Sequence, residues 1–344
     1  MLNNSLPSVS YSLPNHTKRS YMICEMKTRT LVAIAYCIHS WQARQLFSGV
    51  VHRGHWDGDL VLISAGLSDV DEHWFREHGV EVRKYPFPVS RDLWNAAPVE
   101  HRLPPSSLLK YYIFTREFAK WDTVIYLDTD VVVMGPLCEP SGVEVFGAVP
   151  EPALSVRDQF DATNVHGVGL AKVCRLDRRS FNFGMFIVRP AAIPAGTYDR
   201  LCELSEHWLS AAIWGEQSIA NICLWKVWKP IPQRYNYNPV LRLAGGRFSW
   251  CLRPLPFSMS PPIVHFYGPQ KPWNRRSPYR RIWLRNLRAA GSLTPGNRSF
   301  VHCNGSTAFS AVRLVGALLL WILLLFKRTV HVFGVALRGN WLRG

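Results

Sequence analysis

The chain has 344 residues, 48% of them hydrophobic, and a formal net charge of +16. That length holds one large α/β domain with appendages or two ordinary domains, with ample apolar material for a core. No Asp or Glu follows Glu216, so carboxylate chemistry must lie in the first two thirds. The last third should carry a positive potential that attracts phosphates, anionic lipid heads or acidic glycans. Nucleic acid is set aside as a partner, because no binding-module signature is present and the basic residues are interleaved with Pro and Trp. The cysteines (Cys24, Cys37, Cys138, Cys174, Cys202, Cys223, Cys251 and Cys303) stand singly. Without a Cys-x-x-Cys pair a zinc site is not expected; disulfides and free thiols both stay open.

In chain order, residues 1–28 form a polar, Ser/Asn-rich tail without the apolar stretch of a signal peptide. Residues 30–38 read as a first strand, 41–51 as a helix with Trp41, Leu46, Phe47 and Val50 on one face, and 59–64 as a second strand. Strand, helix, strand at this spacing is a βαβ unit of a doubly wound α/β sheet. Residues 80–82 read as a short strand, 108–118 as a helix, and 143–149 and 186–188 as further strands.

Two distant segments carry the chemistry. The apolar run Val124-Ile125-Tyr126-Leu127 ends in Asp128-Thr129-Asp130, and Ile263-Val264 leads into His265-Phe266-Tyr267-Gly268-Pro269-Gln270-Lys271-Pro272-Trp273. A strand ending in Asp-x-Asp turns two carboxylates off a sheet edge, where oxygen ligands suit a hard divalent ion that also holds phosphates. The second segment adds an imidazole ligand and a lysine for a phosphate, with Gly268 permitting close backbone approach. A polar turn is the plain alternative for Asp-x-Asp. An acid pair set directly in an apolar surround, however, needs a cation or hydrogen bonds to offset its desolvation.

These segments resemble family 8 of the retaining glycosyltransferases, the glycogenin, galactinol synthase and plant glucuronosyltransferase group. Lys110, Phe181-Asn182-Phe183-Gly184, Gly215-Glu216-Gln217…Asn221 and Tyr235-Asn236 follow the same family order, over roughly residues 29–275. The resemblance implies a GT-A type nucleotide-diphosphosugar transferase fold, Rossmann-like with a mostly parallel central sheet, over residues 29–290. It implies Mn²⁺ or Mg²⁺ on Asp128, Asp130 and His265, and a UDP-sugar held by Lys110, Asp128, Gly268 and Lys271. Glu216, Gln217 and Asn182 fall at the donor sugar as catalytic candidates, and Tyr36 falls where uridine contacts are expected. Two departures stand out. Glu216 replaces the usual Asp, and Phe183 stands where a small residue is usual, as though to narrow the sugar pocket. The implied reaction moves a hexosyl or hexuronosyl group with retention, by double displacement on Gln217 or Glu216 or by same-face attack assisted by departing UDP. The acceptor is expected to be an acidic glycan or an inositol phospholipid. The competing functions are a catalytically silent, membrane-tethered nucleotide-sugar or lipid-binding protein and a haloacid-dehalogenase-type phosphatase. The phosphatase reading lacks the further acidic ligands it needs downstream.

A basic, polar linker over 291–310 precedes the apolar run 314–326, bounded by Arg313 and Lys327-Arg328. As a helix the run spans about 20 Å against roughly 30 Å of bilayer hydrocarbon; residues 308–312 extend it and 330–337 add a second apolar stretch. Because the run is apolar all round, residues 311–337 are expected to form a membrane-associated helix rather than a buried one. Basic residues after it favour a cytoplasmic tail and a catalytic domain in the Golgi or ER lumen. The Asn-x-Ser/Thr sites at Asn3, Asn15, Asn297 and Asn304 suit that side. The missing targeting signal points instead to an incomplete N-terminus or a cytosol-facing, tail-anchored protein.

Overall fold

A computed structural model describes residues 28–36, 39–95, 104–161, 169–242, 248–250 and 261–293. Its centre is a seven-stranded sheet in the order β3-β2-β1-β4-β7-β6-β8. The strands are β1 (Arg29–Tyr36), β2 (Asp59–Ala65), β3 (Glu81–Lys84), β4 (Thr123–Leu127), β6 (Phe146–Ser155), β7 (Arg179–Val188) and β8 (Trp228–Pro230). A hairpin-like pair, β5 (Val131–Val133) with β11 (Ile263–His265), stands beside it, and β9 (Val240–Arg242) pairs with β10 (Phe248–Trp250). The sheet is mostly parallel: β1 runs parallel to β2 and β4, β2 to β3, and β6 to β8. Only β7 is antiparallel to its neighbours β4 and β6.

The first strands are buried on both faces, as a covered parallel sheet requires. Leu31, Ala33, Leu60 and Leu62 pack to one side, with Leu46, Phe47 and Val50 of the helix Ser40–His52 and Phe75 of the helix Asp69–Glu77. Val32, Ile34, Val61 and Ile63 pack to the other, against Tyr111, Ile113, Leu201, Leu204, Ile219 and Ile222. The last four belong to the helices Thr197–Trp208 and Glu216–Leu224. The period-2 alternation expected for half-buried strands therefore sorts residues between two cores.

The βαβ reading of 30–64 is met, as are the strands at 59–64 and 80–82. The segment 108–118 differs: it forms 3-10 turns, Pro105–Phe114 and Arg116–Phe118, in place of an α-helix. Residues 108–114 are buried on every side there, so the chain packs between β1, β2 and the helix Thr197–Trp208 rather than presenting one apolar stripe. The strand read at 143–149 begins at Phe146 and continues to Ser155; that read at 186–188 begins much earlier, at Arg179. No helix among the described residues is long and apolar enough to cross a membrane. The apolar helix expected over 311–337, and the four Asn-x-Ser/Thr sites, lie outside the described residues. Cys174, Cys202 and Cys223 are thiols.

Candidate active site

The site lies at the carboxyl ends of β1 and β4. The chain runs outward from β1 through β2 to β3, then returns to place β4 on β1's other side. Open α/β sheets bind ligands in the crevice at such a reversal. Tyr36 ends β1 at this edge, with its ring edge-on to His39.

Asp128-Thr129-Asp130 is the tight link between β4 and β5. The antiparallel pairing of β5 with β11 sets His265 opposite Val131, which explains how ligands 135 positions apart in sequence meet. Ligand atoms of Asp128, Asp130 and His265 all lie within 4.8 Å of one another. The helix Ser40–His52 braces the link: Gln45 donates to the Val131 carbonyl at 2.8 Å, and Thr129 donates to Gln42 at 3.1 Å. From the other side, the Asp128 N–H donates to the Gly184 carbonyl at 2.8 Å.

His265 is buried, and its Nδ1 lies 2.8 Å from Asn236 Oδ1. The amide oxygen can only accept, so Nδ1 carries a proton and Nε2 is the nitrogen left to act as a ligand. Nε2 then faces an Asp130 oxygen at 3.1 Å and an Asp128 oxygen at 3.8 Å. Two carboxylates converging on one imidazole nitrogen call for positive charge between them. This donor set, with its imidazole fixed by an outer amide, therefore fits a divalent ion. Lys271 supplies positive charge meanwhile, donating to Asp130 at 2.6 Å and to the Phe266 carbonyl at 2.9 Å. Burial alone would raise the Asp130 pKa; Lys271 and His265 outweigh it and hold the carboxyl well below the usual range. Gly268 takes φ +109° in the loop between His265 and Lys271, a conformation that favours glycine.

Asn182 and Gly184 sit in an irregular stretch of β7. Between Ala148↔Phe186 and Pro150↔Phe181, β6 advances by far fewer residues than β7, so Asn182 to Met185 leave the ladder with β6. Bulges of this kind re-aim side chains beside functional sites. Here Asn182 is the hub of a buried relay. Its amide nitrogen donates to Glu151 at 2.8 Å and to Gln217 at 3.3 Å, while its oxygen accepts from Asn236 at 2.7 Å and from the Gly184 N–H at 2.9 Å. The relay thus runs from His265 through Asn236 and Asn182 to Glu151 and Gln217. Gly184 must be glycine: a Cβ there would stand 2.2 Å from His265 Cε1 and 2.6 Å from an Asp128 oxygen.

Phe183 corrects an expectation. Its ring does not narrow the pocket; it is fully buried in the aromatic core, stacked on Phe186 at 4.7 Å. The ladder irregularity turns it inward while Asn182 faces the relay.

Glu216 and Gln217 open the helix Glu216–Leu224, which follows Gly215 at φ +54°. Both oxygens of Glu216 are engaged, one with Lys110 at 2.9 Å and the other with Ser107 at 2.8 Å, and its side chain is 1% exposed. Lys110 is no surface charge: it is buried, 3.1 Å from Asp128 and 3.2 Å from the Phe183 carbonyl. Burial opposes its charge, but Asp128 and Glu216 win and push its pKa up to about 12. Gln217 accepts from the Phe183 N–H at 3.0 Å. Asn221 fixes the same strand, exchanging hydrogen bonds of 2.8 and 2.9 Å with the Phe181 backbone.

Two participants escaped sequence reading. Glu151, inside Pro150-Glu151-Pro152, is buried at the relay's end, and burial raises its pKa above the usual value. Its signal was an acid in an otherwise apolar strand. Tyr126 donates to Asp128 at 2.6 Å; as one apolar residue among four in β4 it gave no signal.

Sheet order, the carboxylate pair at the switch point and the imidazole brought across by β11 define a GT-A type glycosyltransferase. Residues 73–277 match the sequence profile of glycosyl transferase family 8, and the chain belongs to that family. It is similar to the glycosyltransferase GlyB of Streptococcus pneumoniae serotype 4, with 24% identity over 230 residues, 62% of this chain and 52% of the relative. It is similar also to GlyF of the same organism, with 25% identity over 239 residues, 66% of this chain and 53% of the relative. The chain thus spans about half the length of these curated relatives. Among solved structures, the galactosyltransferase LgtC with donor and acceptor sugar analogues superposes with a TM-score of 0.52 at 18% identity, covering 77% of this chain and 96% of that one. The bifunctional WbbM glycosyltransferase superposes with a TM-score of 0.53 at 14% identity, covering 78% and 52%. These structures share the fold.

Proposed function

We propose that this glycosyltransferase moves a hexosyl or hexuronosyl group from a UDP-sugar, with retention and with Mn²⁺ or Mg²⁺, to an acidic glycan or an inositol-containing lipid. The observation that carries the donor and metal reading is the convergence of Asp128, Asp130 and His265 within 4.8 Å, with Lys271 on Asp130. When bound, the divalent ion supplies positive charge for the diphosphate. Lys271 adds a point charge on the same side, and Lys110 holds Asp128. Asn182, Gln217 and Glu151 face the donor sugar as hydrogen-bonding groups.

In the reaction, the bond between the anomeric carbon and the diphosphate oxygen breaks, a bond from the acceptor oxygen to that carbon forms, and the acceptor's proton passes to the departing diphosphate. This same-face course is favoured because Gln217 Oε1 already accepts from the Phe183 N–H and Glu216 is clamped by Lys110 and Ser107. We assign Glu216 to positioning Lys110.

The test is UDP release by the purified protein from UDP-glucose, UDP-galactose, UDP-glucuronate and UDP-xylose, with Mn²⁺, with EDTA, and in Asp130→Ala. Release from one donor that disappears in both controls is expected. UDP binding without release from any donor, under a wide acceptor panel, would favour the silent binding protein.

A further inference from the structure

The helix Arg280–Ala289 is mounted on the molecule by one face. Trp283 is buried against Trp41 at 5.0 Å and Trp273 at 5.8 Å, and Asn286 accepts from Arg53 at 2.8 Å. Trp283, Asn286 and Ala290 are buried, and 3.6 residues per turn place Arg281, Arg285 and Arg288 together on the opposite side. All three are exposed, as are Arg275, Arg276 and Arg280 in the turn that leads in. No carboxylate occurs anywhere after Glu216 to pair with them, and none of them forms an ion pair among the described residues. This is a stripe of exposed arginines on a helix that is held by its opposite face. The turn that precedes it begins at Lys271, on the rim of the catalytic site.

We propose that this stripe docks the enzyme on an anionic phospholipid surface. A row of unpaired arginines along one exposed helix face suits a surface of phosphate heads. The exposed large hydrophobic residues among those described, Val70, Phe87 and Trp214, lie elsewhere, so the stripe lacks the aromatic platforms of a single-stranded nucleic-acid site. The sequence beyond the helix continues into the apolar run 314–326 between basic residues, a second element suited to the same surface. Docking would set the Lys271 rim beside the lipid heads.

Vesicle co-sedimentation of the full chain tests this. Phosphatidylcholine vesicles give the baseline that any apolar segment supplies, and vesicles containing phosphatidylserine give the increment. The increment should be large at low ionic strength and fall with salt. Each arginine at the surface contributes about fivefold, so Arg281→Gln, Arg285→Gln and Arg288→Gln together should lower it roughly a hundredfold. Arg116→Gln, Arg178→Gln and Arg200→Gln, exposed elsewhere, remove the same charge and should leave it nearly intact. Equal losses in the two triple variants, or no preference for phosphatidylserine, would overturn the proposal. So would a loss confined to binding of a short single-stranded DNA with vesicle binding unchanged. The readout is independent of glycosyl transfer.

Discussion

Lys110 is the residue whose environment most constrains its behaviour. Buried between Asp128 and Glu216, it cannot be removed without stranding carboxylates in a low-dielectric site. Lys110→Met should cost about 3–5 kcal/mol in urea unfolding, and adding Glu216→Gln should recover most of it. Because its folded pKa is raised to about 12, the pair's stabilisation is complete below the ordinary lysine pKa and is lost as pH rises through about 12. Glu151 shifts in the same direction, but its window lies in the acid range. Burial raises its pKa above 4.5, so the folded state holds the proton more tightly than the unfolded one, and its cost to stability grows as pH rises from there. Glu151→Gln should therefore be more stable than the parent at neutral pH, with a flatter stability–pH profile. Its donor turnover should fall roughly a hundredfold if it faces the sugar. A variant with unchanged turnover would remove it from the site. Gly184→Ala should displace His265 and weaken Mn²⁺ affinity by about 10- to 100-fold, read by titration calorimetry.

At the scale of elements, the site is assembled by strand pairing and by one departure from it. β5 and β11 bring His265 to the aspartates, and the irregular stretch of β7 turns Asn182 toward them while Phe183 goes to the core. The meeting of the two segments was expected from their resemblance to the family, but the β5–β11 pairing that achieves it was not read from the sequence. Nor was the second: an unbroken strand and a bulged one look alike in Phe-Asn-Phe-Gly, and the fate of Phe183 depends on which is formed. The 3-10 course of 105–114 was hidden for a related reason, since a segment buried all round has no face for periodicity to report. Glu151 and Tyr126 were missed because single polar atoms inside apolar strands acquire partners only through folding. The helix Arg280–Ala289 hangs on Trp283, and Trp283→Ala should cost about 3–5 kcal/mol. A loss below 1 kcal/mol would mean that the arginine stripe is not rigidly held.

Across the whole molecule, acidic and basic functions are segregated. Every carboxylate lies at or before Glu216, and the sheet carries those of the site to one edge, while the later chain supplies His265, Lys271 and the arginine stripe. The proposed metal–diphosphate centre is where the halves meet, so neither half alone should bind nucleotide. Calorimetric titration of UDP into the purified chain, with and without Mn²⁺ and in His265→Ala, tests this most directly. UDP should bind with Mn²⁺, lose most of its affinity without it, and show no response to Mn²⁺ in His265→Ala. UDP binding that is indifferent to Mn²⁺, or fully retained in His265→Ala, would contradict the assignment of Asp128, Asp130 and His265 to a metal–nucleotide site.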